Sequence, residues 1–275
     1  MNRALLVGID AYPNLPLLRG CVNDVIDMAN LLVKNFNFLR SDIDLIINTR
    51  ATTDAIKQRI SRLTSGIRSG DRIFFHYSGH GAQYAERDPN GNVTSLHDVI
   101  CPVDFDNSRD RMITDTDFKN FFANIPLGAE FNWVSDSCHS GDLSRNTPLP
   151  SSGGEGEYRI PRLFPIPADM QWRIGTAQSQ GLRSLGLDGV AKNLNGALIA
   201  ACGSNETAYP VPSDGGYNGA LTFALKRLLG DTKELQTPLT SLIIKVQEEI
   251  IKLGLSSQHP QLQGNPSITA KPFLG

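Results

Sequence analysis

An α/β fold with a mostly parallel sheet covered by helices is predicted by two features of the sequence. Short apolar runs of strand length alternate with longer stretches of helical periodicity, in the order β-α-β-α-β, with short connections. The runs are also apolar on both faces, as strands buried in a parallel sheet must be. Residues 3–9 open the fold as a first strand, ended by the turn Asp10-Ala-Tyr-Pro-Asn-Leu-Pro16. After Gly20, residues Val22, Ile26, Ala29, Leu32 and Val33 recur at helical spacing. Asn23, Asp24 and Asp27 lie near the start, where a helix dipole favours acidic groups. Residues 42–48 read as a second strand and residues 52–63 as a helix capped by Thr52. The third strand begins at Asp71 and runs without a break into Ser78-Gly-His-Gly81. Residues 84–115 alternate turn chemistry with short apolar pieces, as a hairpin-like excursion does, before a helix over 117–123. A fourth strand, 131–135, leads into Asp136-Ser-Cys-His-Ser-Gly141. From 142 to 195 the pattern dissolves into a segment rich in Pro, Gly and Ser. A strand over 196–202, helices over 219–229 and 239–253 and a turn-rich tail complete the chain.

Composition narrows the function. At 275 residues and 40% hydrophobic content the chain builds one sizeable core, so residues 1–275 are expected to form one domain. A net charge of -2, with no run of Lys and Arg longer than a pair, argues against nucleic acid as a partner. The amino-terminal apolar run is too short for a signal peptide, and no segment approaches the roughly 18 apolar residues of a membrane span. Cys21, Cys101, Cys138 and Cys202 are scattered, with no Cys-x-x-Cys pair, so all four are expected to be reduced thiols in a cytoplasmic protein.

The third and fourth strands end alike, one delivering His80 and the other Cys138 to the carboxyl edge of the sheet, where sites in such folds lie. A thiol is mostly protonated near neutral pH and needs a base beside it to act as a nucleophile; an imidazole on the adjacent strand end supplies one. The flanking glycines let main chain approach a substrate, and the amides of Gly81 and Cys138 are the candidate donors to an oxyanion. This is the chemistry of acyl transfer. Cys101 and Cys202 read as buried structural thiols, Cys202 because it falls inside an apolar strand, and His76 as a core or sheet-face histidine. His139 follows Cys138 on the opposite side of an extended segment. A zinc site built from His80, Cys138 and His139 lacks the paired-ligand motif such sites use.

With Tyr77-Ser-Gly-His-Gly81 and Asp136-Ser-Cys-His-Ser-Gly141 at successive strand ends, the chain resembles the metacaspases of the caspase-like clan of cysteine peptidases. The likeness extends to Gly20-Cys-Val-Asn-Asp24, residues 99–104, and residues 197–208, and in overall form it is most like the prokaryotic members called orthocaspases. The resemblance implies a caspase-like three-layer α/β/α sandwich with a mostly parallel sheet, with Cys138 as nucleophile and His80 as acid and base. It implies cleavage of protein or peptide substrates after Arg or Lys, through an S1 pocket of Cys21, Asp24, Ser78 and Asp136. Two carboxylates in a half-buried pocket select a cation and repel an acidic residue. It also divides the chain into a large-subunit-like part, 1–142, a processing linker, 143–195, and a small-subunit-like part, 196–275. Arg145, Arg159, Arg162, Arg173, Arg183 and Lys192 are then possible self-cleavage sites. Several members require calcium. Asp98 and Asp115 match that ligand pattern, but Thr114 and Arg145 stand where further carboxylates are common, so the chain is expected to work without a cofactor. The family implies a monomer. The competing readings are a catalytically silent caspase-like interaction module and a transpeptidase on a related fold.

Overall fold

The computed structural model describes residues 1–138, 161–162, 190, 194–203 and 206–275. Six strands form one sheet in the order β11-β8-β7-β3-β1-β2. They are β1 (Asn2–Gly8), β2 (Ile43–Ile47), β3 (Arg72–Ser78), β7 (Glu130–Asp136), β8 (Ala197–Ala200) and β11 (Gln261–Gly264). All neighbours pair in parallel except β11, which runs antiparallel along β8. Three further strands, β4 (Gly81–Arg87), β5 (Val93–Ile100) and β6 (Ile113–Thr114), make a separate antiparallel sheet; β9 (Pro210–Ser213) and β10 (Gly216–Gly219) make a hairpin. This is the caspase-like sandwich that the sequence predicts, and the excursion over 84–115 is the β4–β6 sheet.

Helices cover both faces because each strand is apolar on both. In β1, Leu5 and Val7 enter one core while Ala4 and Leu6 enter the other. The first core lies under α2 (Thr53–Thr64) and α3 (Asp115–Phe122), through Ile56, Ile60, Phe118 and Phe122. Its centre is aromatic: the Trp133 ring lies 4.7 Å from Phe118 and 5.8 Å from Phe75, tilted in the offset way that ring quadrupoles favour. The second core lies under α1 (Cys21–Asn35), α4 (Ala220–Leu229) and α5 (Leu239–Lys252), through Val25, Leu32, Leu221, Leu225 and Leu242.

Local signals behave as their chemistry dictates in α2, where the Thr52 side chain accepts from the Ala55 amide. Elsewhere the structure corrects the sequence reading. Helix α3 starts at Asp115, two residues early, because Thr114 caps it by accepting from Asp117 N while Asp117 accepts from Thr114 N. The tail holds β11 and a short helix, α6 (Pro266–Thr269), where turns are expected. At the start of α1 the cap comes from outside the helix: the Asp10 carboxylate accepts from the amides of Cys21 and Val22. Gly20, before it, has φ 95, and a Cβ there would lie 2.7 Å from the Tyr217 carbonyl, so only glycine suits the position.

Trp133→Ala should lower unfolding stability by about 3–5 kcal/mol through the cavity it opens. Urea denaturation would register this as a lower midpoint with little change in slope.

Candidate active site

Strands β3 and β7 are in register, Ser78 opposite Asp136, so their ends deliver His80 and Cys138 to one edge of the sheet. Two phenols fix the turn that carries His80. Tyr77 Oη donates to the carbonyls of His80 (2.7 Å) and Cys101 (2.9 Å), and Tyr12 Oη accepts from the His80 amide at 3.0 Å. A side chain at Gly79 would strike both hydroxyls. The ring itself is held by Pro16, whose carbonyl lies 2.8 Å from Nε2. A carbonyl only accepts, so Nε2 carries the proton and Nδ1 is left as the basic nitrogen. Nδ1 is buried and has no hydrogen-bond partner among the described residues. Burial, more than any other cause, lowers the His80 pKa to about 4, and the nearby Arg162 charge adds to this; the ring is therefore neutral at neutral pH.

Cys138 is fully buried, with its sulfur against residue 208: the Ala208 amide donates to Sγ at 2.7 Å, and Sγ lies 3.7 Å from the Ala208 carbonyl. No hydrogen bond joins His80 to Cys138 among the described residues. Cys202, expected inside a strand as a structural thiol, lies instead two residues beyond the end of β8. Its pKa is pushed well up, first by a hydrogen bond with the Cys138 thiol and then by burial. Cys101 is buried as expected, and burial raises its pKa. His76 is fully buried on β3, its pKa lowered to about 4 by burial. His139 lies outside the described residues.

The four expected S1 residues converge, and an arginine of the chain fills the space between them. Arg162 is fully buried. Its Nη2 lies 2.8 Å from Asp24 Oδ2 and its Nη1 3.2 Å from Asp136 Oδ1; Nη1 also donates to Ser78 Oγ (2.6 Å) and to the Asp136 carbonyl (3.0 Å). Each carboxylate is braced from behind. Asp24 accepts from Ser78 Oγ, Asn218 Nδ2 and the Gly219 amide, while Asp136 accepts from the Thr222 amide and hydroxyl. Cys21 forms part of the wall, its buried thiol pushed well above its usual pKa by desolvation. Asp24 therefore does more than its place in the first turn of α1 requires: it holds the Arg162 guanidinium. Burial raises its pKa, against which the Arg162 charge works.

The main chain of Arg162 is held too: its carbonyl accepts from the Gly81 amide at 3.2 Å, and its amide donates to the Ala208 carbonyl at 3.3 Å. The Gly81 amide, the expected oxyanion donor, therefore already donates to the carbonyl oxygen of the residue whose guanidinium lies between the two carboxylates. The Cys138 amide has no hydrogen-bond partner among the described residues. Among the other basic candidates, Arg145, Arg159, Arg173, Arg183 and Lys192 lie outside the described residues. Sequence reasoning missed Tyr12, Asp10, Asn218 and Thr222. For Tyr12 the available signal was a phenol in the turn after β1; Asn218 and Thr222 are fixed by chain crossings that no local pattern encodes.

Asp98 and Asp115 fit a cation poorly. Asp115 is fully buried and already accepts from the Thr116 amide (2.7 Å), from the Asp98 amide (3.4 Å) and from His97 Nδ1, whose ring lies 2.8 Å away. The Gln83 amide donates to Asp98. Thr114 is used as the α3 cap. No group of three His, Cys, Asp or Glu side chains among the described residues is arranged to hold a metal. No helix among them is long and apolar enough to cross a membrane.

The sheet order and the paired strand ends define a caspase-like α/β domain, and comparison with known proteins agrees. The sequence model described as "Metacaspase, peptidase C14 domain" matches residues 2–145. The chain is 38% identical to Metacaspase-7 of Arabidopsis thaliana over 147 residues, which is 52% of this chain and 35% of that protein. It is 32% identical to Metacaspase-1B of Neurospora crassa over 213 residues, 74% of this chain and 48% of that protein. The chain belongs to the metacaspase family, and it spans between a third and a half of the length of these relatives. The crystal structure of protein GSU0716 from Geobacter sulfurreducens shares the fold, with a TM-score of 0.66 at 20% identity over 98% of this chain and 97% of that one.

Arg162→Ala, made in a Cys138→Ala background, leaves two buried carboxylates without their cation and should cost ~3 kcal/mol of stability at neutral pH. With Arg162 gone the Asp24 pKa rises further. A carboxyl whose folded pKa lies above its unfolded value destabilises the fold at high pH and stops doing so once it is protonated. The deficit should therefore shrink as pH falls through that raised pKa, as denaturation across a pH series would show.

Proposed function

We propose that this domain is a cysteine endopeptidase that cuts after Arg or Lys, with Cys138 as nucleophile, His80 as acid and base, and itself as one substrate. The observation that carries this reading is Arg162, whose guanidinium lies between Asp24 and Asp136 while its carbonyl rests on the Gly81 amide. A residue bound by its side chain in a specificity pocket and by its carbonyl on an amide donor has the posture of the residue on the acyl side of a bond to be cut. The bond so presented is Arg162–Leu163.

In this mechanism the Nδ1 lone pair of His80 takes the thiol proton, and Cys138 Sγ attacks the carbonyl carbon. The amides of Gly81 and Cys138 stabilise the oxyanion. The leaving amine departs with the proton from His80, and water, deprotonated by the same imidazole, hydrolyses the thioester. The pocket chooses the substrate: a cation replaces Arg162 between two carboxylates, whereas an acidic side chain would place a third negative charge there.

Cutting in 143–195 would separate the 1–142 and 196–275 parts. We read the protein as a monomer of the orthocaspase type, working in the cytoplasm, where its four buried thiols remain reduced. The reading includes calcium independence, because the carboxylates of Asp98 and Asp115 are already engaged.

A panel of short fluorogenic peptides ending in Arg, Lys or Asp, with and without chelator, checks the specificity. Arg and Lys peptides should be cut and Asp peptides not, and chelation should leave the rates unchanged. Asp24→Ala should lower kcat/KM for Arg peptides by at least about 10²-fold, since it removes one of two charged contacts made at the reacting residue. Turnover of none of the peptides would favour an interaction module.

Mass spectrometry of the purified chain checks self-cleavage separately. Wild type should yield fragments meeting at Arg162–Leu163, Cys138→Ala should stay intact, and Arg162→Gln should lose that cut. Identical intact masses for all three would sink the self-processing reading.

A further inference from the structure

Beyond β7 and β8 the chain brings a second sulfur near Cys138. The two strands are parallel, with Ser135 opposite Ala200, and the ladder continues one step further through the Ala201 amide, which donates to the Ser135 carbonyl at 2.9 Å. Cys138 lies three residues past Ser135 and Cys202 two past Ala200, so they sit one residue out of step on adjacent chains. Parallel chains run about 4.8 Å apart and one residue of stagger adds about 3.3 Å along them, so continuing the ladder to these positions keeps them within the Cα separations a disulfide spans. Both side chains belong to the core under α1, α4 and α5.

The backbone that carries Cys202 is fixed from both sides. Gln258, fully buried, donates to the Ala201 carbonyl and accepts from the Tyr209 amide, and Glu206 accepts from the amides of Gly203 and His259. Cys202 Sγ lies 3.4 Å from the Glu206 carbonyl. Cys202 keeps a little exposure, 8%, where Cys138 has none. The main chain around Cys202 is thus held by side-chain hydrogen bonds that do not depend on either sulfur.

We propose that Cys202 is a resolving cysteine, which closes a reversible disulfide onto Cys138 when a hydroperoxide oxidises the site and so protects the nucleophile from irreversible oxidation. The inference rests on the reading of Cys138 as a reactive thiol. In the first step the Cys138 thiolate attacks one peroxide oxygen; the O–O bond breaks, its electron pair leaves with the departing oxygen, and Cys138 becomes a sulfenic acid. In the second the Cys202 sulfur attacks the Cys138 sulfur. The S–S bond forms, hydroxide leaves, and it collects the Cys202 proton as water. Two thiols have given up two electrons, and the hydroperoxide has accepted both.

The electrostatics suit this order. A hydrogen bond with Cys138 and burial push the Cys202 pKa up, so Cys202 is held as a protonated, unreactive thiol. Attack within one site gains the high effective concentration of a neighbouring group.

The test uses the full chain, treated with hydrogen peroxide and then with dithiothreitol, alongside Cys202→Ser and Cys202→Ala. Peptide mapping without reductant should show a peptide linking residues 138 and 202 in wild type and none in either variant. Wild type should recover most of its own starting activity with dithiothreitol, while both variants should accumulate sulfinic acid at Cys138 and recover little. Absence of the linked peptide, or equal recovery by the variants, would overturn the proposal. If one variant fails to fold, the other and the wild-type map still decide. The linked peptide is read without any turnover, so a protein that forms the disulfide but cuts no peptide would overturn the peptidase reading and leave this pairing standing.

Discussion

A guanidinium buried between two carboxylates organises the active edge of this domain. Three charges without water are costly unless each is matched and every remaining polar atom is bonded. Much of the surrounding sequence answers that need. Ser78 ends one central strand and Asp136 the next; Asp24 comes from the first turn of α1, and Asn218, Gly219 and Thr222 come from the junction of β10 and α4. Gly219 is required there because a Cβ would collide with the Asp136 carboxylate. Five elements, β3, β7, α1, β10 and α4, are thus tied together by one charge cluster. The same cluster lays the Arg162 carbonyl on Gly81, so the side chain and the backbone of Arg162 are positioned together.

The neighbouring His80 depends on a different device. Its turn is held by two tyrosine hydroxyls and its ring by the Pro16 carbonyl, all outside the charge cluster. Burial keeps the imidazole neutral, and the tautomer imposed by Pro16 decides which nitrogen is basic. His80 and the charge cluster therefore have different supports, but they meet at the ends of β3 and β7, where the Arg162 charge still lowers the His80 pKa.

How legible this was in the sequence differs by residue. His80 and Cys138 stand out because a strand buried on both faces that breaks into glycine and small polar residues has few structural uses. Asp24 is harder, since an acidic residue in the first turn of a helix is common and its pocket role depends on where α1 lands on the sheet. Arg162 is indistinguishable in sequence from five other basic residues in the same segment; only the path of the chain selects it. Strand β11 is invisible for another reason: Gln-Leu-Gln-Gly has no β-branched residue and no alternation, and it becomes a strand because its backbone pairs with β8. Apolarity suggests a strand as far as Cys202, but β8 ends at Ala200, and Cys202 lies buried in the core two residues beyond it.

The adjacency of β7 and β8 bears on how the molecule is made. These strands lie side by side in the sheet, yet the chain leaves the first at Asp136 and enters the second only at Ala197. During folding the intervening segment acts as a tether, and closing so long a loop carries an entropic cost that covalent connection keeps finite. Once the ladder and the second core are in place, unbroken chain between them is no longer what holds them together, although Arg162 within the tether still bridges Asp24 and Asp136. A chain cut between the two strands would keep its shape while losing the connectivity through which it reached it. Such a molecule would persist by the slowness of its unfolding, and once unfolded its two pieces would meet again only at a rate set by their concentration.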